Sequence, residues 1–316
     1  MVCARATNSI VAALGLSLLA GPTFLAGQNA LGPKVPTFRS RVEIIHLNVS
    51  VTDSQDRHVT GLSERDFAIF EDGVPQEITV FSHQDLPLSL SLLIDGSASM
   101  EENLATAQEA GVQFLGTLRT GDVAQIVQFT ERVSVLQDFT SDQVSLVRAL
   151  RSTRASGATA LYTALYVALK ELNGQGGPGE LRRRAVVLLS DGEDTTSVVT
   201  DDQILDLARR TEIAVYAIGL RPRRVQGNGG SASNKAAHFL TALARDTGGQ
   251  VYFPRAASEL DGAYVRIAEE LRTQYTLGYS PRNVRADGKW RRILVRPVSR
   301  GDLRIRHKIG YFAPRS

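Results

Sequence analysis

Apolar residues recur along this chain in three successive rhythms. Between about residues 40 and 85, Ile45, Leu47, Val49 and Val51 alternate with His46, Asn48, Ser50 and Thr52. A period of two places successive side chains on opposite faces, so the segment reads as strands buried on one side. Turn chemistry interrupts them at Asp53-Ser54-Gln55-Asp56 and at Glu71-Asp72-Gly73. Phe67 and Ile69 before the second turn, with Ile78 and Val80 after it, predict a hairpin.

From about 86 to 272 the pattern changes. Leu88 to Ile94, Ala185 to Leu189 and Ile213 to Ile218 are continuous apolar runs. Strands apolar on both faces belong inside a parallel sheet covered by helices. Helical spacing alternates with them: Leu161, Ala164, Leu165, Ala168, Leu169 and Leu172 follow the i, i+3, i+4, i+7 rule. Leu104, Gly111, Phe114, Leu115 and Leu118 predict a second helix, Phe239, Leu240, Leu243 and Ala244 a third, and Leu260, Tyr264, Ile267 and Leu271 a fourth. Val123 to Phe129 and Val133 to Leu136 flank Thr130-Glu131-Arg132, which places a hairpin at the sheet edge. The predicted fold is α/β: a doubly wound, mostly parallel, Rossmann-like sheet with one antiparallel edge strand.

From about 273 to 313 the period returns to two. Leu303, Ile305, Ile309 and Tyr311 alternate with Arg304, Arg306, Lys308 and Gly310, and Asp287-Gly288 before Trp290 predicts another hairpin. Neither outer segment is large enough to make a sandwich alone. The expected arrangement is one small β-sandwich-like domain built from both ends of the chain, with the α/β domain inserted between them.

Composition adds a compartment. Arg5 is the only charge in the first thirty residues, Ile10 to Ala20 is an almost unbroken apolar run, and Leu25-Ala26-Gly27 follows the Gly21-Pro22 break. Residues 1–27 therefore read as a signal peptide for secretion or export to the periplasm, an uncleaved anchor being the alternative. Gln28 stands where a lipoprotein would need a cysteine, and the single cysteine, Cys3, lies inside the leader. No later run reaches the ~18 apolar residues of a membrane span. The net charge of +3 implies no global polyanion partner, and 43% apolar with 22% charged residues is ordinary for a globular chain.

Three short stretches stand where open α/β sheets hold ligands, at the carboxyl ends of strands or next to them. Asp95-Gly96-Ser97-Ala98-Ser99 follows the first run, Gly157-Ala158-Thr159 precedes the strongest helix, and Ser190-Asp191-Gly192 follows the second run. Each has a plainer reading. Ser99 with Glu102 has the spacing of a capping box, Thr159 is placed to cap its helix, and Asp191-Gly192 suits a turn. Taken together, two acids and three hydroxyls form an all-oxygen ligand set, which hard divalent cations prefer. The five histidines, at 46, 58, 83, 238 and 307, form no zinc-like cluster. The expected site holds one Mg²⁺, with Mn²⁺ or Ca²⁺ as alternatives, through Asp95, Ser97, Ser99, Thr159 and Asp191. Its natural sixth ligand is a carboxylate from a partner protein.

Asp-x-Ser-x-Ser, the later threonine and Ser-Asp-Gly resemble the metal-ion-dependent adhesion site of von Willebrand factor type A domains. All five positions of that pattern are matched, by Asp95, Ser97, Ser99, Thr159 and Asp191. The resemblance covers roughly 86–272. The flanks are similar to a bacterial, acidobacterial-type family of von Willebrand factor type A-related proteins, through Val59-Thr60-Gly61-Leu62, Asp66-Phe67, Glu71-Asp72-Gly73, Tyr275-Thr276-Leu277-Gly278-Tyr279 and Gly310-Tyr311-Phe312. The resemblance implies a secreted, metal-dependent protein-binding module for adhesion or scaffolding, not an enzyme.

Two rival readings remain open. Residues 272–316 carry twelve Lys or Arg against two acids, Asp287 and Asp302, which suits an envelope structural protein binding an anionic polymer. The plainer account is that Arg304, Arg306 and Lys308 are the outward face of one edge strand, and that Arg182-Arg183-Arg184 is a solvated entry to a buried strand. Aromatics are not interleaved as a nucleic-acid platform needs, so no specific nucleic acid is expected. A metal-dependent hydrolase would need a base beside the metal, and Glu193 and Asp194 are the nearest spare acids. The stretches Gly174 to Gly179 and Gln226 to Asn234 read as loops. In the second, Gly227-Asn228-Gly229-Gly230 lies too far from its strand for a dinucleotide turn.

Overall fold

The continuous apolar runs form the middle of a sheet and the alternating ones form its flanks. The computed structural model describes residues 44–83, 86–175, 181–190, 193–220, 230–298 and 300–315. The amino-terminal segment supplies β1 (Ile45–Thr52), β2 (Phe67–Glu71), β3 (Val74–Gln76) and β4 (Ile78–Ser82). Then come β5 (Leu88–Asp95), α1 (Leu104–Leu115), β6 (Val123–Phe129), β7 (Val133–Thr140), α2 (Gln143–Arg151), α3 (Leu161–Asn173) and β8 (Arg183–Ser190). The α/β part closes with α4 (Asp201–Arg209), β9 (Ile213–Gly219), α5 (Gly230–Thr247), β10 (Val251–Tyr252) and α6 (Leu260–Thr273). The carboxyl-terminal segment is β11 (Tyr275–Tyr279), β12 (Trp290–Pro297), β13 (Arg304–Arg306) and β14 (Gly310–Phe312).

Six strands form the central sheet in the order β10-β9-β8-β5-β6-β7, with β7 antiparallel at one edge and every other pairing parallel. Every residue of β5 is buried, because both of its faces are covered. Leu90, Leu92 and Ile94 pack with Phe114 of α1, Leu150 of α2 and Ile267 of α6. Leu93 faces the other way, into a cluster with Leu165 of α3, Ile204 of α4 and Leu243 of α5. Burying a leucine side chain of this kind contributes about 1.5–3 kcal/mol, so the two clusters fix which strand ends lie side by side.

The terminal segments interleave. One four-stranded sheet runs β13-β1-β11-β4 and the other β14-β12-β2-β3, so each mixes strands from both ends of the chain. Leu47, Val49, Ile69, Tyr275, Leu277, Ile293 and Val295 form their shared core.

Local differences from the sequence reading have physical causes. The Asp72-Gly73 turn, with φ of 48° and 83°, joins β2 to β3, while Ile78 and Val80 cross to the other sheet and pair with β11. The short β3 ends one strand and lets the chain change layer. Asp287-Gly288 likewise carries the chain between sheets: β11 and β12 do not pair, and the Gly288 amide donates to the Pro314 carbonyl. Residues 230–234, read as loop, belong to α5. The short helices α2 and α4 had no apolar stripe long enough to stand out. For α4 a cap was legible, because Thr200 and Gln203 form a reciprocal capping box. No helix among the described residues is long and apolar enough to cross a membrane. The predicted leader at residues 1–27 lies outside the described residues.

Candidate metal centre

Parallel pairing of β8, β5 and β6 brings their carboxyl ends together, and hydrogen bonds lock the following loops to one another. The Gly96 amide donates to the Phe129 carbonyl at 2.8 Å and the Gly96 carbonyl accepts from the Ser156 amide at 2.7 Å. Ala98 donates to the Gly157 carbonyl at 3.1 Å, and Ala160 to the Thr130 carbonyl at 2.7 Å. The stretch 95–99 and the stretch 156–160, far apart in sequence, are therefore laced directly together. Glycine at 96 is a steric requirement: a Cβ there would lie 2.2 Å from Gln128 Nε2 and 2.8 Å from the Arg154 carbonyl oxygen. Gly157 adopts φ +72°, a region that side-chain-bearing residues avoid.

Asp95 closes β5 and is fully buried. Its Oδ1 accepts the Ser97 amide at 2.9 Å, and its Oδ2 accepts the Ser190 hydroxyl at 2.5 Å. Ser190 is the last residue of β8 and is itself fully buried. Ser97 and Ser99 place their hydroxyl oxygens 3.0 Å apart, with Ser97 buried and Ser99 exposed. Thr159 is buried, and its backbone is held on both sides: its carbonyl accepts from the Thr195 and Thr196 amides at 2.9 and 3.1 Å, and its amide donates to Thr195 Oγ1 at 2.9 Å. Asp191 and Gly192 lie outside the described residues.

The plainer roles of two hydroxyls are not realised. Ser99 forms no capping box: it sits inside a 3₁₀ turn over Ala98–Met100, and α1 begins four residues later behind Asn103. Thr159 is not the cap of α3, whose capping residue is Ala160 and makes no side-chain bond. The first turn of α3 is capped from elsewhere in the chain. Asp194 Oδ1 accepts the Tyr162 amide at 3.2 Å and the Ser197 hydroxyl at 2.6 Å, and Ser197 Oγ accepts the Thr163 amide at 3.0 Å. One of the two acids considered as a hydrolytic base is thus tied to a helix terminus, where a carboxylate also meets the positive end of the helix dipole. Tyr162 titrates high, at about 12, because burial and the nearby Asp201 and Asp194 carboxylates disfavour its anion.

Three residues the sequence reading left without a role take part: Ser190, which holds Asp95, and Thr195 and Ser197, which clamp Thr159 and α3. Ser190 stood next to the predicted ligand Asp191, but nothing in its spacing marked its partner. Among the described residues no three of His, Cys, Asp and Glu gather closely enough to hold an ion. The donor set among the described residues is instead hydroxyl-rich, a chemistry that hard cations accept. Two oxygens at adjacent vertices of an octahedral Mg²⁺ shell lie about 2.9 Å apart, from metal–oxygen distances of about 2.0–2.1 Å. The Ser97 and Ser99 hydroxyls, hydrogen-bonded to each other at 3.0 Å, have that spacing.

Residues 90–193 match the family model of the von Willebrand factor type A domain. A UPF0353 protein of Nocardia farcinica is 28% identical over 221 residues, 60% of this chain, and the match spans 65% of that relative's length. Among solved structures, a von Willebrand factor type A protein from Catenulispora acidiphila shares 13% identity, with 88% of this chain and 76% of that one covered and a TM-score of 0.49. An aerotolerance-related membrane protein from Bacteroides fragilis shares 19%, covering 58% of this chain and 98% of that one, with a TM-score of 0.47.

Proposed function

Because the chain carries a von Willebrand factor type A domain over residues 90–193, we propose that it is an exported binding module that captures a protein carboxylate through one divalent cation. Ser97, Ser99 and Thr159 supply neutral oxygens, and Asp95 and Asp191 supply charge, at least partly through water, which octahedral Mg²⁺ readily retains. The cation contributes Lewis acidity toward an incoming carboxylate. Two carboxylates already balance a dication's charge, and where they act through water they leave its inner shell incomplete, so an oxygen of a partner's carboxylate completes the shell.

The observation that carries this reading is the fixed Asp95 carboxylate beside the Ser97–Ser99 hydroxyl pair. Ser190 and the Ser97 amide engage its two oxygens. A carboxylate held this way cannot rotate into a bidentate clasp without breaking a buried hydrogen bond, and leaving a buried donor unpaired costs about 1–3 kcal/mol. The arrangement suits water-mediated or single-oxygen contact, which leaves a coordination position for a ligand.

The basic carboxyl-terminal segment offers less free charge than its composition suggests. Arg306 pairs with buried Glu270, Arg291 with Asp287, Arg300 with Asp302, and Arg304 with Asp56. Arg292 and Arg296 stay exposed on the outward face of β12. Arg183, read as part of a solvated entry, is buried and donates to the Leu271 and Gln274 carbonyls at 2.7 and 2.8 Å, satisfying the end of α6.

Capture of partners from an envelope extract tests the reading. Retention on the wild-type protein that EDTA abolishes, and that Thr159→Ala lacks, is the expected result. Retention that survives EDTA but is lost at high salt would assign binding to surface charge, which salt screens, and would overturn the proposal.

A further inference from the structure

The polar side of the β13-β1-β11-β4 sheet packs against the α/β part, not against water: Ser50 is 3% and Thr276 1% exposed. Where this face meets the amino-terminal ends of β8 and β9, a cavity of about 180 Å³ remains. His46 and Thr276 line it from the terminal sheet, Arg182 and Arg184 from the start of β8, and Glu212 and Lys308 complete it.

Its polar groups are under-satisfied. Thr276 Oγ1, His46 Nδ1 and Arg184 Nε are buried without a hydrogen-bond partner among the described residues. Lys308 Nζ makes a long, 3.4 Å contact with the Thr211 carbonyl. Burial pulls its pKa below the ordinary lysine value, the charge of Glu212 opposing this only in part. Among the described residues, the lining holds three cationic side chains, Arg182, Arg184 and Lys308, against one acid, Glu212. Most buried polar groups in proteins are paired, so three orphaned polar atoms around one void need an explanation. Water would satisfy hydrogen bonds there, but it would not balance the excess of cationic side chains among the described lining residues. An anion supplies both, because the Lys308 ammonium, the Arg184 guanidinium and the Thr276 hydroxyl all donate, and charge-assisted hydrogen bonds are the strong ones.

We propose that this cavity binds a small oxyanion, of the phosphate or short-carboxylate class, on Lys308, Arg184, Thr276 and His46. The site lies at the end of β8 opposite Ser190, roughly 20 Å away along an eight-residue strand, and does not depend on the metal reading. An anion here ties the terminal sheets to the α/β part, so its binding is read as added stability of the folded chain.

Thermal denaturation of the full chain in EDTA, with NaCl adjusted to constant ionic strength, tests this. Inorganic phosphate is one arm and malonate the other, which separates the two anion classes. In the wild type at least one of them raises Tm saturably, by about 4–8 °C at a hundredfold excess over Kd. Lys308→Met abolishes that rise, and without anion it melts no lower than wild type, because an uncompensated charge has gone. Thr276→Val keeps the charge and shifts the response at least tenfold in concentration, and it carries the test should Lys308→Met fail to fold. Equal responses in wild type and variants, or no response to either anion, would overturn the proposal and leave a water-filled void.

Discussion

Ser190 donates its hydroxyl to Asp95 Oδ2 at 2.5 Å, joining the last residues of two adjacent parallel strands. Both residues are fully buried. The bond settles which way the Asp95 carboxylate turns before any ligand arrives. Groups that orient a ligand residue typically contribute ten- to a hundredfold in metal affinity. Ser190→Ala is therefore expected to weaken Mg²⁺ binding about tenfold while leaving the fold intact, as read by isothermal titration beside a circular dichroism spectrum. Unaltered affinity would show that Asp95 needs no such support.

Gly96 is where the backbones of the Asp95 and Thr159 loops approach. A methyl group there meets the Gln128 amide and the Arg154 carbonyl, the latter already bonded to Gln128 Nε2 at 2.6 Å. Gly96→Ala should cost about 1–3 kcal/mol of stability, as overpacking does, and should loosen the Ser156 contact. Urea unfolding measures it, and a change below half a kilocalorie would mean that the loop moves freely.

A buried carboxylate helps to fasten the α/β part to the terminal sheets, beside contacts such as Lys308 Nζ to the Thr211 carbonyl. Glu270 of α6 accepts from Ser50 Oγ at 2.8 Å and Tyr216 OH at 2.7 Å, and it pairs with Arg306 of β13. Gln274 extends the network to Tyr216 OH at 2.9 Å. Removing one partner of a buried ion pair strands the other, at about 3–5 kcal/mol. Glu270→Gln keeps the shape and some of the hydrogen bonds, so about 3 kcal/mol is expected, measured by denaturant unfolding. A neutral effect would indicate that the pair breaks even against its own desolvation.

His307 supplies a pH dependence. Its Nε2 accepts the Val295 amide at 3.0 Å and its Nδ1 lies 2.6 Å from the Lys308 carbonyl, an arrangement made by the neutral ring. Burial holds its pKa below the ordinary 6.5. Well above pH 6.5 neither the folded nor the unfolded ring is protonated and the full stability is present. As the pH falls below that value the unfolded chain takes up a proton first, so stability declines until the folded pKa is passed. His307→Gln should flatten the decline just below pH 6.5. An identical slope in variant and wild type would assign it to other groups.

Much of the fold was legible because its signals are local. The runs at 88–94, 185–189 and 213–218 announced buried parallel strands, and Thr130-Glu131-Arg132 announced the antiparallel edge that β6 and β7 form. Layer changes were not legible. Whether Ile78 returns beside β2 or crosses to β11 depends on distant partners, not on the Asp72-Gly73 turn. The destination of the polar positions was hidden too: Ser50 alternates with core residues as a solvent-facing serine would, yet it meets Glu270, 220 residues away. In the candidate site, the strand-end position of Asp95 was readable, whereas Ser190 and Thr195 act through contacts made only in three dimensions.

The most direct measurement is Mg²⁺-induced thermal stabilisation of the wild type beside Asp95→Ala, Thr159→Ala and Asp191→Ala. A cation bound only by the folded chain adds about 2.7 kcal/mol at a hundredfold excess over Kd. In the wild type Mg²⁺ is expected to raise Tm saturably, a shift that EDTA reverses and that each substitution removes. A full, undiminished Mg²⁺ response in Asp95→Ala and Thr159→Ala would contradict that expectation.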